Sequence, residues 1–166
     1  MSIYTSRYSN PELRKGIYTA VRISLGTPKW SIGYPLTGEL KDLMPFGLLN
    51  KYELYEDFKR EYFMRLDRIG VSRIRSQLQQ FESLGKDVVL LCYEDIRKGP
   101  ENWCHRTAFA EWWLLKTGEA IEELYDPTPD PTAQKPKVAT SSNIAKSEET
   151  SVYKGYKQDK IEMRGD

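Results

Sequence analysis

Apolar residues recur along this chain with two different periods, and the switch between them outlines its elements. Residues 2–9, "SIYTSRYS", alternate larger and smaller side chains and predict a short strand, closed by the turn-forming "NPEL". Residues 16–26, "GIYTAVRISLG", predict a second strand that is β-branched and aromatic and stops at a glycine. From Lys51 the spacing becomes three and four. Tyr55, Phe58, Tyr62, Leu66 and Ile69 line one face of an amphipathic helix that Gly70 ends. Ser72 is then expected to cap a second helix, with Ile74, Leu78, Phe81 and Leu84 facing inward and Gly85 as its stop.

The run "DVVLLCYE", residues 87–94, has no polar alternation in its middle. That predicts a strand buried on both faces, as at the centre of a parallel sheet. A loop through Gly99 and Pro100 leads to "WCHRTAFAEWWLLKTG", where Ala108, Phe109, Trp112, Trp113 and Leu115 supply a largely apolar helix ending at Gly118. Between the second strand and the first helix, residues 27–46 hold three prolines and three aromatics without a period, and predict a long ordered loop with room for short strands. Strands alternating with helices predict an α/β, Rossmann-like layered fold: a mostly parallel sheet with helices on both faces. Residues 1–126 would form that domain. Residues 127–166, rich in Pro, Ser, Thr and Lys, are expected to be a disordered tail, with "SVYKGYKQDKIEM" as a candidate docking segment.

Composition narrows the partners. A length of 166 residues suits one domain, and a net charge of +1 gives no bulk attraction to nucleic acid or acidic membranes. No apolar run reaches the roughly 20 residues of a membrane span. Two cysteines make no disulfide framework, and "MSIYTSRYS" carries no apolar leader, so a reduced, cytoplasmic protein is expected. Oligomeric state leaves no mark in the pattern.

Both cysteines and the only histidine fall in "CYEDIRKGPENWCHR", residues 92–106. Ligands of open α/β sheets bind beyond the carboxyl ends of the strands. One loop would bring Cys92 and Glu94, at a strand end, and Cys104, His105 and Arg106, at a helix start, to the same edge. Strand alternation sends Cys92 and Glu94 one way and Tyr93 the other.

Several chemistries fit these residues. A helix N-terminus with Arg106 and His105 suits an anion, unless Arg106 pairs with Glu94 or Glu111. Cys104 beside two cations is a candidate thiolate, although helix neighbours point about 100° apart, which places His105 poorly to take its proton. A small buried cysteine is the plainer reading. Cys92, Cys104, His105 and Glu94 lack the short C-x-x-C spacing of zinc sites, so no metal is expected, and no other cofactor. A Cys92–Cys104 disulfide runs against a reducing compartment. Glu94 is a candidate general base or nucleophile, or a partner of Arg97 or Arg106.

"VVLLCYED" followed by "CHR" resembles the domain-of-unknown-function 488 family, whose members end a strand in Leu-Leu-Cys-x-Glu and place Cys-His-Arg a dozen or so residues on. Here those positions are Leu90, Leu91, Cys92, Glu94, Cys104, His105 and Arg106. "IYTSRYSN", "RISLGTPKW" and "FAEWW" also look like the branch found in small bacterial and phage proteins, and the likeness covers roughly residues 2–124. It implies a Rossmann-like fold and a shared site, and no particular reaction. Many members carry Asp-x-Arg at the end of the second strand, followed by a proline. This chain has Arg22-Ile23-Ser24 and then Pro28, so the acid is missing.

These readings combine into one expected cleft. Cys92, Glu94, Cys104, His105 and Arg106 form its floor, Arg7, Tyr8 and Ser24 its other wall, and Lys29, Trp30 and Tyr34 close over it. Arg and Lys suit phosphate, and Trp and Tyr suit a stacked base. The expected ligand is small, anionic and nucleotide-like, to be hydrolysed, modified or, in a phage-like setting, sequestered. Glu94, Cys104 and His105 are the candidate catalytic residues. Trp30 and Tyr34 could equally anchor their loop. Two other classes stay open: a thiol-dependent enzyme using Cys104, and a non-catalytic interaction protein acting through residues 127–166.

Overall fold

The structure, a computed structural model, describes residues 1–133. Its strands are β1 (Ile3–Arg7), β2 (Tyr18–Arg22), β3 (Gly38–Glu39), β4 (Asp87–Cys92) and β5 (Glu122–Glu123). Its α-helices are α1 (Tyr55–Ile69), α2 (Val71–Glu82) and α3 (His105–Thr117). The strands pair in the order β3-β2-β4-β1-β5, all parallel. The uninterrupted Val88-Val89-Leu90-Leu91 run is the middle of that sheet, with Thr5 of β1 and Val21 of β2 on either side of Leu90. This is the α/β, Rossmann-like layering expected from the periodicity.

Alternation along β2 and β4 divides the core in two. Val21, Ile23, Val88 and Leu90 face all three α-helices, meeting Phe58, Tyr62 and Leu66 of α1, Ile74 and Leu78 of α2, and Phe109, Trp112 and Trp113 of α3. Ala20, Val89 and Leu91 face the other way, onto Tyr8, Leu13 and Leu124. Helical segments therefore cover both faces, but unequally. Among the described residues, the second face is covered by the 3-10 helix Pro11–Lys15, which contributes Leu13, and the long loop, which contributes Ile32, Tyr34 and Leu36. Those three loop residues alternate with Gly33 and Pro35, so the loop serves as a wall of the core without becoming a strand.

Several boundaries differ from expectation. Ser72 does not cap α2. Gly70 (φ 89°) ends α1 and directly precedes Val71, so Ser72 already lies in the first turn, where its carbonyl accepts a bond from Ser76 Oγ at 3.0 Å. Leu84 lies beyond the end of α2 and is exposed rather than inward-facing. β5 was not foreseen, because two glutamates on an edge strand show no apolar period.

Residues 127–133, assigned above to a disordered tail, make ordered contacts. Arg7 Nη2 and Arg97 Nη2 donate to Thr128 Oγ1 at 3.0 and 2.8 Å, and Asp130 caps a turn at Thr132. The rest of that segment, with the candidate docking stretch, lies outside the described residues. Among the described residues, no helix is long and apolar enough to cross a membrane.

Candidate functional site

Cys92 is the last residue of β4, and alternation turns it toward the α-helices. Cys104 is the N-cap of α3, with extended backbone (φ −137°, ψ 149°), and its carbonyl accepts from Thr107 N–H at 3.1 Å. The 100° rule between helix neighbours therefore does not apply to it. His105 Nδ1 lies 3.7 Å from Cys104 Sγ and 3.7 Å from Cys92 Sγ, a corrected placement for a histidine expected to miss its neighbour. On its other edge, His105 Nε2 sits 2.8 Å from the carbonyl oxygen of Ile23. A carbonyl only accepts, so Nε2 carries a proton and Nδ1 faces the sulfurs. The Tyr62 ring meets the imidazole edge-on at 6.0 Å. Cys92, Cys104, His105 and Arg106 are 4, 2, 3 and 0% exposed, so the cluster is enclosed.

Glu94, half-buried, forms its outer side. Cys92 Sγ–H donates to Glu94 Oε2 at 3.2 Å, and the Glu94 carbonyl accepts from Arg106 Nη2 at 2.7 Å. Arg106 finds its carboxylate partner in Glu123, through Nε at 3.1 Å and Nη2 at 2.8 Å, rather than in Glu94 or Glu111. Glu111 instead takes Lys59 at 3.1 Å. Glu123 also accepts from Thr5 Oγ1 at 2.7 Å. Nothing in the sequence distinguished Glu123 from the other acids of "GEAIEELYD". Arg106 Nη1 is buried and has no hydrogen-bond partner among the described residues.

These groups shift one another. Burial pushes the Cys92 thiol well above its ordinary range. Burial opposes ionisation of Cys104 too, but the Cys92 thiol, His105 and Arg106 outweigh it and hold Cys104 well below. Burial disfavours a charged His105, and the neighbouring Cys104 overrides that and raises it. Glu94 is pushed up to about 7, first by burial and then by Cys104. Cys104 is thus favoured as a thiolate among cations, while Cys92 and Glu94 hold their protons more tightly.

The expected second wall lies elsewhere. Arg7 is committed to Asp126 at 2.7 Å. Tyr8 O–H donates to Ser24 Oγ at 2.6 Å, Ser24 Oγ–H to the Gly26 carbonyl at 2.7 Å, and Tyr34 O–H to the Tyr8 carbonyl at 2.8 Å. Tyr8, Tyr34 and Tyr93 belong to the helix-poor face, so the sheet separates them from the cysteines and histidine. Tyr34 anchors its loop. Trp30 is 46% exposed, with its ring 5.8 Å from that of Tyr93, and Lys29 beside it is exposed. The structure brings together the five floor residues, leaves Trp30 and Lys29 at the surface, and ties Arg7, Tyr8, Ser24 and Tyr34 to protein partners. A cavity of about 300 Å³ reaching Tyr18 and Lys86 lies at the opposite edge, where β2 and β4 begin.

Cys92 Sγ, Cys104 Sγ and His105 Nδ1 all lie within 4.8 Å of one another. The sequence argued against a metal because the short C-x-x-C spacing is missing, yet the three donors converge. Short C-x-x-C spacing describes ligands carried on one loop, whereas here a strand end and a helix start converge. Both cysteines are free thiols.

No family model, no curated protein and no solved structure matches this chain.

Proposed function

We propose that this protein binds a small anionic, nucleotide-like ligand at the carboxyl edge of its sheet and acts on it with the cluster around Glu94. Nη1 of the fully buried Arg106, without a hydrogen-bond partner among the described residues, carries this reading. A buried donor left without an acceptor costs about 1–3 kcal/mol, more when charged, and such a group calls for a role. A ligand oxygen at Nη1 would supply the missing acceptor. Glu94, half-buried beside it, is the group a ligand would meet on entry. Exposed Trp30 and Lys29 lie with Tyr93 on the helix-poor face, across the sheet from Arg106, so they offer a stacking surface and a cation at the carboxyl edge and are not contacts of Nη1. In a phage-like setting, the biological form of this reading would be capture of a signalling nucleotide.

Thermal unfolding against a panel of nucleotides and ADP-ribose derivatives tests this. Ligand at 100 times its dissociation constant adds about 2.7 kcal/mol, a rise of several degrees for a domain of this size. The absence of a shift with every member of the panel would overturn the reading.

A further inference from the structure

We propose that Cys92, Cys104 and His105 bind a soft divalent metal ion, with zinc the first candidate and Glu94 at its fourth position. This goes beyond the nucleotide reading and does not depend on it.

Distances carry the proposal. Zinc holds thiolate sulfur at about 2.3 Å and imidazole nitrogen at about 2.0–2.1 Å, so a tetrahedral ion sets sulfur and nitrogen about 3.6 Å apart. The two S···Nδ1 separations here are both 3.7 Å, and the three donor atoms lie within 4.8 Å of one another. The two sulfur–nitrogen separations match that spacing, and the two sulfurs, within 4.8 Å of each other, would sit about 3.8 Å apart around the ion.

The surroundings of the histidine agree. A metal-bound imidazole characteristically donates its other N–H to a carbonyl or carboxylate, which fixes both tautomer and ring orientation. Nε2 does so to Ile23, and the bond leaves Nδ1 toward both sulfurs. Ile23 is fully buried, as is Tyr62 across the ring, so the imidazole is held from two sides.

Charge and donor type select the ion. Two thiolates and a neutral imidazole around a dication sum to zero, and the Glu94 carboxylate takes the set to −1 on the half-buried side, next to the buried Arg106 guanidinium. Sulfur and imidazole donors favour zinc and its soft neighbours over magnesium or calcium, which take oxygen. Glu94 Oε2, 3.2 Å from Cys92 Sγ on the half-buried edge of the cluster, is the carboxylate that would turn in as the fourth donor. Three enclosed ligands and one replaceable carboxylate form an open site, at which an anionic ligand could displace Glu94.

The full-length chain, purified without a polyhistidine tag and without chelator, should carry about one equivalent of zinc by mass spectrometry of its metals. Cobalt(II) added to the stripped protein should give sulfur-to-cobalt charge-transfer absorption and the intense visible bands of a tetrahedral ion. Cys92→Ser and His105→Gln should each weaken cobalt binding at least tenfold. Pale octahedral cobalt spectra with no thiolate band, or no uptake at all, would overturn the site, and this readout needs only the wild-type protein. Unchanged cobalt affinity in both variants would overturn it as well. Repeating the nucleotide panel on stripped and zinc-loaded protein separates the two proposals. Zinc uptake without any ligand shift removes only the nucleotide reading, and a ligand shift without metal uptake removes only the metal.

Discussion

His105 donates from Nε2 to the carbonyl of Ile23 at 2.8 Å, joining the first residue of α3 to the end of β2 across 82 positions of sequence. The bond is buried. His105→Phe keeps an aromatic ring but strands the carbonyl. Measured on metal-free protein by urea unfolding, it should cost about 1–3 kcal/mol.

Arg106 and Glu123 form the most deeply set ion pair of the site, with Arg106 0% and Glu123 31% exposed at the side chain. Glu123→Ala leaves a guanidinium buried without its counter-ion and should destabilise by about 3 kcal/mol, at the low end for a buried pair because Glu123 retains some solvent. Removing both charges, with Glu123→Leu and Arg106→Met together, should cost less than Glu123→Ala alone. Chemical denaturation of the three variants checks the order.

Gly38 admits no side chain without movement: a Cβ there would stand 2.9 Å from Phe81 Cε1 and 3.1 Å from Cζ. The far end of the Phe81 ring can tilt outward, since Phe81 is half-buried at the end of α2. Gly38→Ala should therefore cost only about 1 kcal/mol, and Phe81→Leu in the same chain should recover part of it. Thermal unfolding midpoints test both.

Acid should weaken the fold through Asp126. Burial works to raise its carboxyl, but Arg7 and Thr128 outweigh it and hold the carboxyl below its ordinary value of 3.8. A depressed folded value means stability that is fully present above the ordinary value and lost as the pH falls through the folded one. The Asp126 contribution, read as the difference in unfolding midpoint between wild type and Asp126→Asn, should stay level from neutral pH down to about 5 and shrink below about 4. Asp126→Asn should lower the neutral-pH midpoint and flatten the acid limb. An acid limb of unchanged steepness in the variant would refute the assignment.

Local periodicity was legible wherever a face of an element meets the core. The three-and-four spacing from Tyr55 to Ile69, the Val88–Leu91 run and the Trp112–Trp113 helix all read correctly, because burial imprints the geometry of a single element on its own residues. Ser72 misled for the complementary reason: a cap depends on where the preceding helix stops, and α1 runs to the residue just before Gly70.

The sequence by itself determined the parallel sheet with its buried centre and which edge would carry the cysteines, histidine and Arg106. It also determined that Cys92 and Glu94 point one way and Tyr93 the other, since a strand's period of two leaves no choice. Only the tertiary structure decided the partners. Glu123 comes to Arg106 from an edge strand without apolar pattern, and Ile23 offers His105 a backbone atom that no side-chain motif records. The two sulfurs meet one imidazole nitrogen because β4 ends where α3 begins in space, not in sequence. Such contacts are set by how elements pack, and packing joins residues whose local patterns carry no trace of one another.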